Sequence, residues 1–121
     1  MCIVLMGYPP ESTIRLPLLE FAKDKKIKSV LDAEKYLSKK FKLTNAEINR
    51  TKKSGNERLF LHRVRWSRTN LKISGLISDP KPGFYKITPR GLQILKNPPP
   101  VLNDTFLSQF PEFKKWRRRK N

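Results

Sequence analysis

The longest helical pattern in the chain runs from Arg58 to about Ser74, and Gly75 follows it where a glycine commonly ends a helix. At about 100° per residue, one narrow stripe of apolar and small side chains should face the core. This stripe consists of Phe60, Val64, Ser67, Leu71 and Ser74. The opposite face is polar and consists of Arg58, His62, Arg65, Thr69 and Lys72, with Arg68 on its margin. The pattern predicts a half-buried helix that turns cations toward solvent.

Three shorter helices are predicted before this segment. Pro17 stands where a helix can begin, and the cap sequences Ser29-x-x-Asp32 and Thr44-x-x-Glu47 predict the starts of two more. Ile27 fits a brief strand between the first two helices. The third helix should stop before a basic turn, Lys52-Lys53-Ser54-Gly55-Asn56.

A β-hairpin is predicted directly after the long helix. Leu76 to Ser78 and Phe84 to Thr88 have the composition of strands, and Asp79-Pro80-Lys81-Pro82-Gly83 has that of a turn. Thr88 and Pro89 then open a further helix, which Asn97 and the prolines after it end. A helix followed by a hairpin is the arrangement of a winged helix-turn-helix.

The last part of the chain is predicted to hold one more helix and a basic tail. The helix, over residues 101–115, is capped near Asn103 or Asp104 and interrupted at Pro111. The run from Lys114 to Lys120 has the composition of a disordered, solvated tail, and the interleaved Phe113 and Trp116 leave open that it also contacts phosphates or stacks on a base.

The predicted fold class is therefore mainly α with a small β-hairpin (α+β). It is a winged helix-turn-helix with an extra C-terminal helix. Residues 1–13 form an N-terminal extension, residues 14–97 form the winged-helix domain, and residues 98–121 form a Pro-rich linker, the last helix and the tail.

The charge of the chain indicates an anionic partner. A chain of 121 residues is one domain, and its 27 Lys and Arg against 10 Asp and Glu give a formal charge of +17. Residues 1–50 carry 10 basic and 6 acidic side chains, whereas residues 51–121 carry 17 and 4. The binding surface should therefore lie mostly in the second half.

The rarity of cysteine and histidine excludes several classes of site. Cys2 is the only cysteine and His62 the only histidine, so neither a disulfide framework nor an ordinary zinc site can form, and we expect no metal and no cofactor. The apolar start of the chain is too short to span a membrane and lacks a basic region before it. We expect a protein of the reducing cytoplasm with no membrane partner.

One run of residues carries a family resemblance. Trp66-Ser67-Arg68-Thr69-Asn70-Leu71-Lys72-Ile73-Ser74-Gly75-Leu76, followed by Pro82-Gly83 and Ile87-Thr88-Pro89-Arg90-Gly91, resembles the N-terminal domain of Mrr-type restriction proteins in order and spacing. The resemblance continues more weakly upstream, through Leu43-Thr44-Asn45-Ala46-Glu47 and Leu16-Pro17-Leu18-Leu19. It covers roughly residues 14 to 97. Ser67 and Ser74 stand where alanine is usual, and both are small enough for the helix to pack.

The resemblance implies a winged helix that recognises double-stranded DNA in a prokaryotic, nucleoid-associated setting. In relatives this domain is fused to a nuclease domain that cleaves foreign, often methylated, DNA. The chain stops at Asn121. Glu112-Phe113-Lys114, with Asp104 upstream, has residue types that a metal-dependent nuclease uses, but no predicted sheet would hold these carboxylates around a metal. We therefore expect DNA recognition without catalytic residues, and no enzyme activity in this chain.

The expected DNA contacts fall into two groups. Phosphates should be contacted by Lys52, Lys53, the amide groups of Ser54 to Asn56, and the hairpin lysines Lys81 and Lys86. Bases in the major groove should be contacted by Arg65, Arg68, Thr69 and Lys72, with Arg58 and His62 at the edge of the groove.

Two other functions stay open at this point. Trp66 and Ile73 form a second apolar patch on the long helix, which the C-terminal segment or the first helix should cover; the alternative is an exposed aromatic ring that reads a base. If a partner covers the patch together with the C-terminal helix, the chain is a protein-interaction adaptor that docks a nuclease domain or subunit, or a transcription partner. The basic composition also fits a small RNA-binding protein, and a homodimer is a further arrangement that the sequence leaves open.

Overall fold

The computed structural model describes residues 9–51 and 57–120. The helices are α1 (Glu11–Phe21), α2 (Val30–Lys40), α3 (Asn45–Asn49), α4 (Leu59–Ile73), α5 (Pro89–Lys96), α6 (Asp104–Leu107) and α7 (Pro111–Lys120). The strands are β1 (Lys28–Ser29), β2 (Ile77–Ser78) and β3 (Phe84–Ile87). They form one antiparallel sheet in the order β1-β3-β2. The fold is α+β with a winged-helix-like arrangement, as the sequence predicts.

Side-chain caps start α2, α3 and α5 where the sequence predicts them. Ser29 Oγ accepts from the Asp32 amide at 2.9 Å, and Thr44 and Glu47 form a reciprocal capping box. Thr88 Oγ1 accepts from the Gly91 amide at 3.1 Å, with a proline at the first position of α5. These short polar side chains satisfy amide groups that have no partner within the helix.

The hairpin formed by β2, β3 and the turn at residues 79–83 is called the wing below. Ile77 pairs with Ile87 and Ser78 with Lys86, so Ile77 and Ile87 share the buried face of the sheet. The edge strand β1 pairs with the side of β3 that does not face β2. The strand begins one residue after Ile27, where the sequence predicts it, and Ile27 is exposed. The sheet thereby ties the wing to the start of α2.

Helix α4 runs through the centre of the molecule. All five residues of the predicted stripe are fully enclosed: Phe60, Val64, Ser67, Leu71 and Ser74. The buried face is wider than this stripe, since Leu61 and Asn70 are buried as well. Helix α1 covers this face, and the Ser67 hydroxyl donates to the Glu11 carbonyl at 3.0 Å. The core is therefore built mainly on the contact between α1 and α4.

Helix α1 begins at Glu11, well before Pro17, because tertiary contacts hold its first turn. The Glu11 carboxylate accepts hydrogen bonds from Arg15, Ser67 and Asn70 at 2.7 to 3.1 Å. Arg15 is almost fully buried and also donates to the Leu102 carbonyl at 3.0 Å. A local helix pattern contains no information about contacts between residues so far apart in the chain. The prediction from Pro17 therefore places the start of α1 too late.

The basic C-terminal run is helical, so the prediction that it is a disordered tail is wrong, although its cations at 114, 115 and 117–119 are exposed to solvent as predicted. Helix α6 ends at Leu107 after the Asn103 cap, and Pro111 is the first residue of α7 instead of an interruption. Phe113 is fully buried, which anchors α7 to the core. No helix within residues 9–51 and 57–120 combines the length and hydropathy needed to cross a membrane.

Candidate nucleic-acid interface

The outward face of α4 consists of the side chains that point away from the core: His62, Arg65, Trp66, Thr69 and Lys72. Arg65 and Lys72 are about half exposed as side chains, at 55% and 51%. They lie seven residues apart, two helical turns, and therefore project on the same side. The prediction of a cationic outward face is confirmed in its geometry, while its ligand stays a prediction.

The carboxylate of Glu57, just before the N-terminus of α4, contacts two of these side chains. Arg65 Nη1 donates to Glu57 Oε2 at 2.7 Å, and His62 Nδ1 lies 3.0 Å from Glu57 Oε1. The His62 ring meets the Trp66 ring edge to face, with centroids 6.4 Å apart. Partial desolvation opposes ionisation of Glu57, but the His62 hydrogen bond and the Arg65 charge outweigh it and lower the pKa of Glu57. Glu57 is therefore a charged partner near neutral pH.

A second carboxylate reaches α4 from the wing. Asp79 Oδ2 lies 3.0 Å from Lys72 Nζ and 3.6 Å from Arg68 Nη1. The hydrogen bond from Lys72 is the main cause that lowers the pKa of Asp79. The Arg68 side chain is 19% exposed, and within the described residues its buried Nε and Nη1 have no hydrogen-bond acceptor. Arg68 thus faces the wing with donors unused, at the margin of the outward face as predicted.

Arg58 has a structural partner of its own. Its two terminal nitrogens donate to the two carboxylate oxygens of Glu34 at 2.7 and 2.9 Å, and the Glu34 side chain is only 6% exposed. This bidentate pair joins α2 to the start of α4. The predicted contact of Arg58 with a nucleic acid stays a prediction, but it competes with a well-formed ion pair.

The predicted phosphate contacts divide between the wing and a segment outside the described residues. Lys86 is exposed on β3, and Lys81 Nζ lies 4.3 Å from the centroid of the Phe84 ring. The predicted site residues Lys52, Lys53, Ser54 and Asn56 lie outside the described residues. On either side of that segment, Thr51 and Arg58 form an antiparallel bridge, and the Leu59 amide donates to the Arg50 carbonyl at 2.8 Å.

The second apolar patch of α4 is covered in part. Ile73 borders a groove against α7 that is also lined by Glu112, Lys115, Trp116 and Arg119. The C-terminal segment therefore covers the Ile73 end, as predicted, whereas Trp66 is 38% exposed. The sequence pattern puts the α7 cations in a tail, and no motif in it points to the two carboxylates. Glu57 and Asp79 reach α4 from the bend before the helix and from the wing, which only the fold determines.

Two glycines of the resembling run are required by the junction of α4, the wing and α5. Gly75 has φ +80°, and a Cβ there would lie 2.7 Å from Arg90 Nη1, which donates to the Ser74 carbonyl at 2.7 Å. A Cβ at Gly91 would overlap the carbonyl oxygen of Leu76. Gly75 is thus required by its backbone conformation, and Gly91 by the close approach of α5 to the backbone at Leu76.

The fold and this surface define a winged-helix-like domain with a cationic outward helix. Within the described part of the chain, no group of three or more His, Cys, Asp or Glu side chains is placed to hold a metal ion. The family model of the Mrr N-terminal domain matches residues 12–97, and the chain belongs to this family, which links it to restriction systems. No catalytic domain is matched. No curated protein and no solved structure matches the chain.

Proposed function

We propose that this protein binds double-stranded DNA, with α4 in the major groove and the wing against the phosphate backbone, as the recognition part of a restriction-type system. The observation that carries the proposal is the outward face of α4, which presents Arg65, Thr69 and Lys72 in a line next to the wing. An α-helix fits the major groove, which is about 12 Å wide. The excess of 17 positive charges supplies the attraction to phosphate.

The side chains of this line differ in what they can contact. Arg65 presents a planar donor fork that suits the two acceptors of guanine, and Lys72 suits a phosphate or a guanine acceptor. The Thr69 hydroxyl donates to the Arg65 carbonyl at 3.1 Å, so its methyl group is the part available for contact. A methyl group can pack against that of thymine or of methylcytosine, which supports a role in reading modified DNA.

Charge reversal on α4 tests the proposal. The double variant Arg65→Glu/Lys72→Glu should lose duplex binding in a fluorescence-anisotropy titration, because both cations become repulsive to phosphate. Lys35→Glu/Lys39→Glu is a matched control, since it makes the same charge change on exposed positions of α2. If roughly six phosphates are contacted, wild-type affinity should fall about a thousandfold between 50 and 200 mM salt. Equal losses in both variants, or binding indifferent to salt, contradict the proposal.

Matched duplexes test the modified-DNA part separately. We expect the wild type to distinguish duplexes that differ only in adenine or cytosine methylation. Equal affinity for all of them removes this part and leaves DNA binding intact. Competition between duplex DNA and duplex RNA of the same sequence separates DNA binding from RNA binding.

A protein-interaction adaptor is the second candidate function, and the exposure of Trp66 favours it. On that hypothesis Trp66 docks a nuclease subunit, and α4 needs no contact with DNA. Trp66→Ala should then abolish capture of the nuclease subunit, while Arg65→Glu/Lys72→Glu leaves that capture unchanged. The two variants therefore separate the two functions.

A further inference from the structure

Helix α7 lies beyond the residues that match the family, yet it is fixed beside α4. Phe113 is fully buried, and its ring centroid lies 5.9 Å from that of Trp116. Glu112 pairs with Arg90 of α5 at 3.1 Å, and Arg117 pairs with Asp104 at 3.2 Å. Contacts at both of its ends therefore fix the orientation of α7 against the domain.

The outer side of α7 is strongly cationic and differs from the outward face of α4. Of the cations whose exposure the structure describes, Lys114, Lys115, Arg118 and Arg119 lie away from the buried Phe113, while Arg117, also exposed, pairs with Asp104. Among the residues that the structure describes, none of these four lies in an ion pair with a carboxylate. Arg65 and Lys72 are each held by one. The α7 cations are thus directly available to an anion.

The outward face of α4 lies between the wing and α7. On one flank, Asp79 of the wing reaches Lys72 and Arg68. On the other flank, Ile73 borders Lys115 and Arg119 of α7. Ile73 is about 100° around the helix from Lys72 and about 140° from Arg68. The wing and α7 are therefore on opposite sides of the line formed by Arg65, Thr69 and Lys72.

We propose that α7 is a second phosphate-contacting element, which meets the DNA backbone on the side of the major groove opposite the wing. This inference rests on the proposed function. A helix is about 10–12 Å across and the major groove is about 12 Å wide, so a helix in the groove has a phosphate backbone beside each flank. The wing lysines face one backbone, and Lys115, Arg118 and Arg119 face the other.

Neutralisation of α7 tests the inference through salt dependence. The slope of log affinity against log salt is negative. The variant Lys115→Gln/Arg118→Gln/Arg119→Gln should make it less steep by roughly 2.7, which is about 0.9 for each phosphate that is no longer neutralised. The control Lys35→Gln/Lys39→Gln/Lys40→Gln removes the same charge from α2 and should leave the slope nearly unchanged. Circular dichroism melts verify that both variants are folded.

Hydroxyl-radical footprinting tests the placement. Wild type should protect the backbones on both sides of one major groove, the α7 variant should lose protection on one side, and Lys81→Gln/Lys86→Gln should lose it on the other. Unchanged slope and footprint with the α7 variant overturn the inference while wild-type binding upholds the proposed function. Tighter binding by the α7 variant also overturns it, because α7 would then obstruct the groove. Absence of duplex binding by wild type overturns both.

Discussion

Asp79 belongs to the wing, yet its carboxylate contacts two cations of α4. A bound phosphate must displace this carboxylate or compete with it. Surface ion pairs of this kind contribute about 0.2–1 kcal/mol, so the competition is weak enough for a polyanion to win. Glu57, at the N-terminal end of α4, forms the equivalent ion pair with Arg65. The two carboxylates therefore weaken the attraction of the α4 cations for any anion.

Asp79→Asn should therefore raise affinity for unrelated duplexes roughly two- to fivefold, because Lys72 and Arg68 are released and a negative charge is removed. Anisotropy titrations with two duplexes of different sequence measure this gain. Asp24→Asn is the control, since Asp24 pairs with Lys28 in the same way but away from α4. An equal gain in the control would trace the effect to net charge alone.

Gly91 is a position where one methyl group should have a large effect. A Cβ there meets the Leu76 carbonyl oxygen and Ile87, so the junction of the wing and α5 must shift. We expect Gly91→Ala to lower the free energy of unfolding by about 2–3 kcal/mol. Gly83→Ala should cost only about 1 kcal/mol, since Gly83 has φ +82° but open space around it. Urea unfolding of the two variants measures the difference, and equal losses would contradict the steric explanation.

At the scale of elements, the sequence predicts those that local chemistry determines. The stripe of α4 follows from its 3.6-residue period, and the caps Ser29, Thr44 and Thr88 follow from short side chains that accept amide hydrogen bonds. The start of α1 and the helical state of α7 depend on Arg15 and Phe113, whose partners are distant in sequence. A local pattern holds no information about such partners.

Helix α7 should be helical only while it is docked, since isolated helices shorter than about 12 residues are marginal in water. Phe113→Ala removes the anchor, so amide hydrogen exchange across residues 111–120 should approach that of an unstructured peptide while β3 keeps its protection. Lys114→Ala changes the neighbouring exposed residue and should leave exchange in α7 as in the wild type. Retained protection in Phe113→Ala would show that Phe113 is not the anchor.

At the scale of the whole molecule, the candidate site is predictable in part. The sequence places Arg65, Thr69 and Lys72 on one face because that face is set by helical periodicity. It does not place Glu57 and Asp79 against them, because the bend at Glu57 just before α4 and the turn of the wing determine where these carboxylates lie. The net charge indicates an anionic partner, whereas which cations are already paired becomes visible only in three dimensions.

The paired carboxylates also predict how stability depends on pH. Lys28 lowers the pKa of Asp24, Lys72 that of Asp79, and the two partners His62 and Arg65 that of Glu57. The folded state therefore binds fewer protons than the unfolded chain just below the ordinary carboxyl pKa values of about 4. Their contribution is complete above that range and is lost as pH falls through the lowered values. Thermal melts should show a falling Tm from about pH 5 to pH 3, and a flat profile would contradict this linkage.

The bridge between Thr51 and Arg58 limits how far the position of α4 depends on residues 52–56. It closes the backbone on either side of residues 52–56, and the Glu34 pair fixes Arg58 from the α2 side. The position of α4 is thus determined outside that segment. A change of sequence at positions 52–56 leaves the contacts of Thr51, Arg58 and Glu34 in place, so we expect it to alter what the chain binds before it alters the fold.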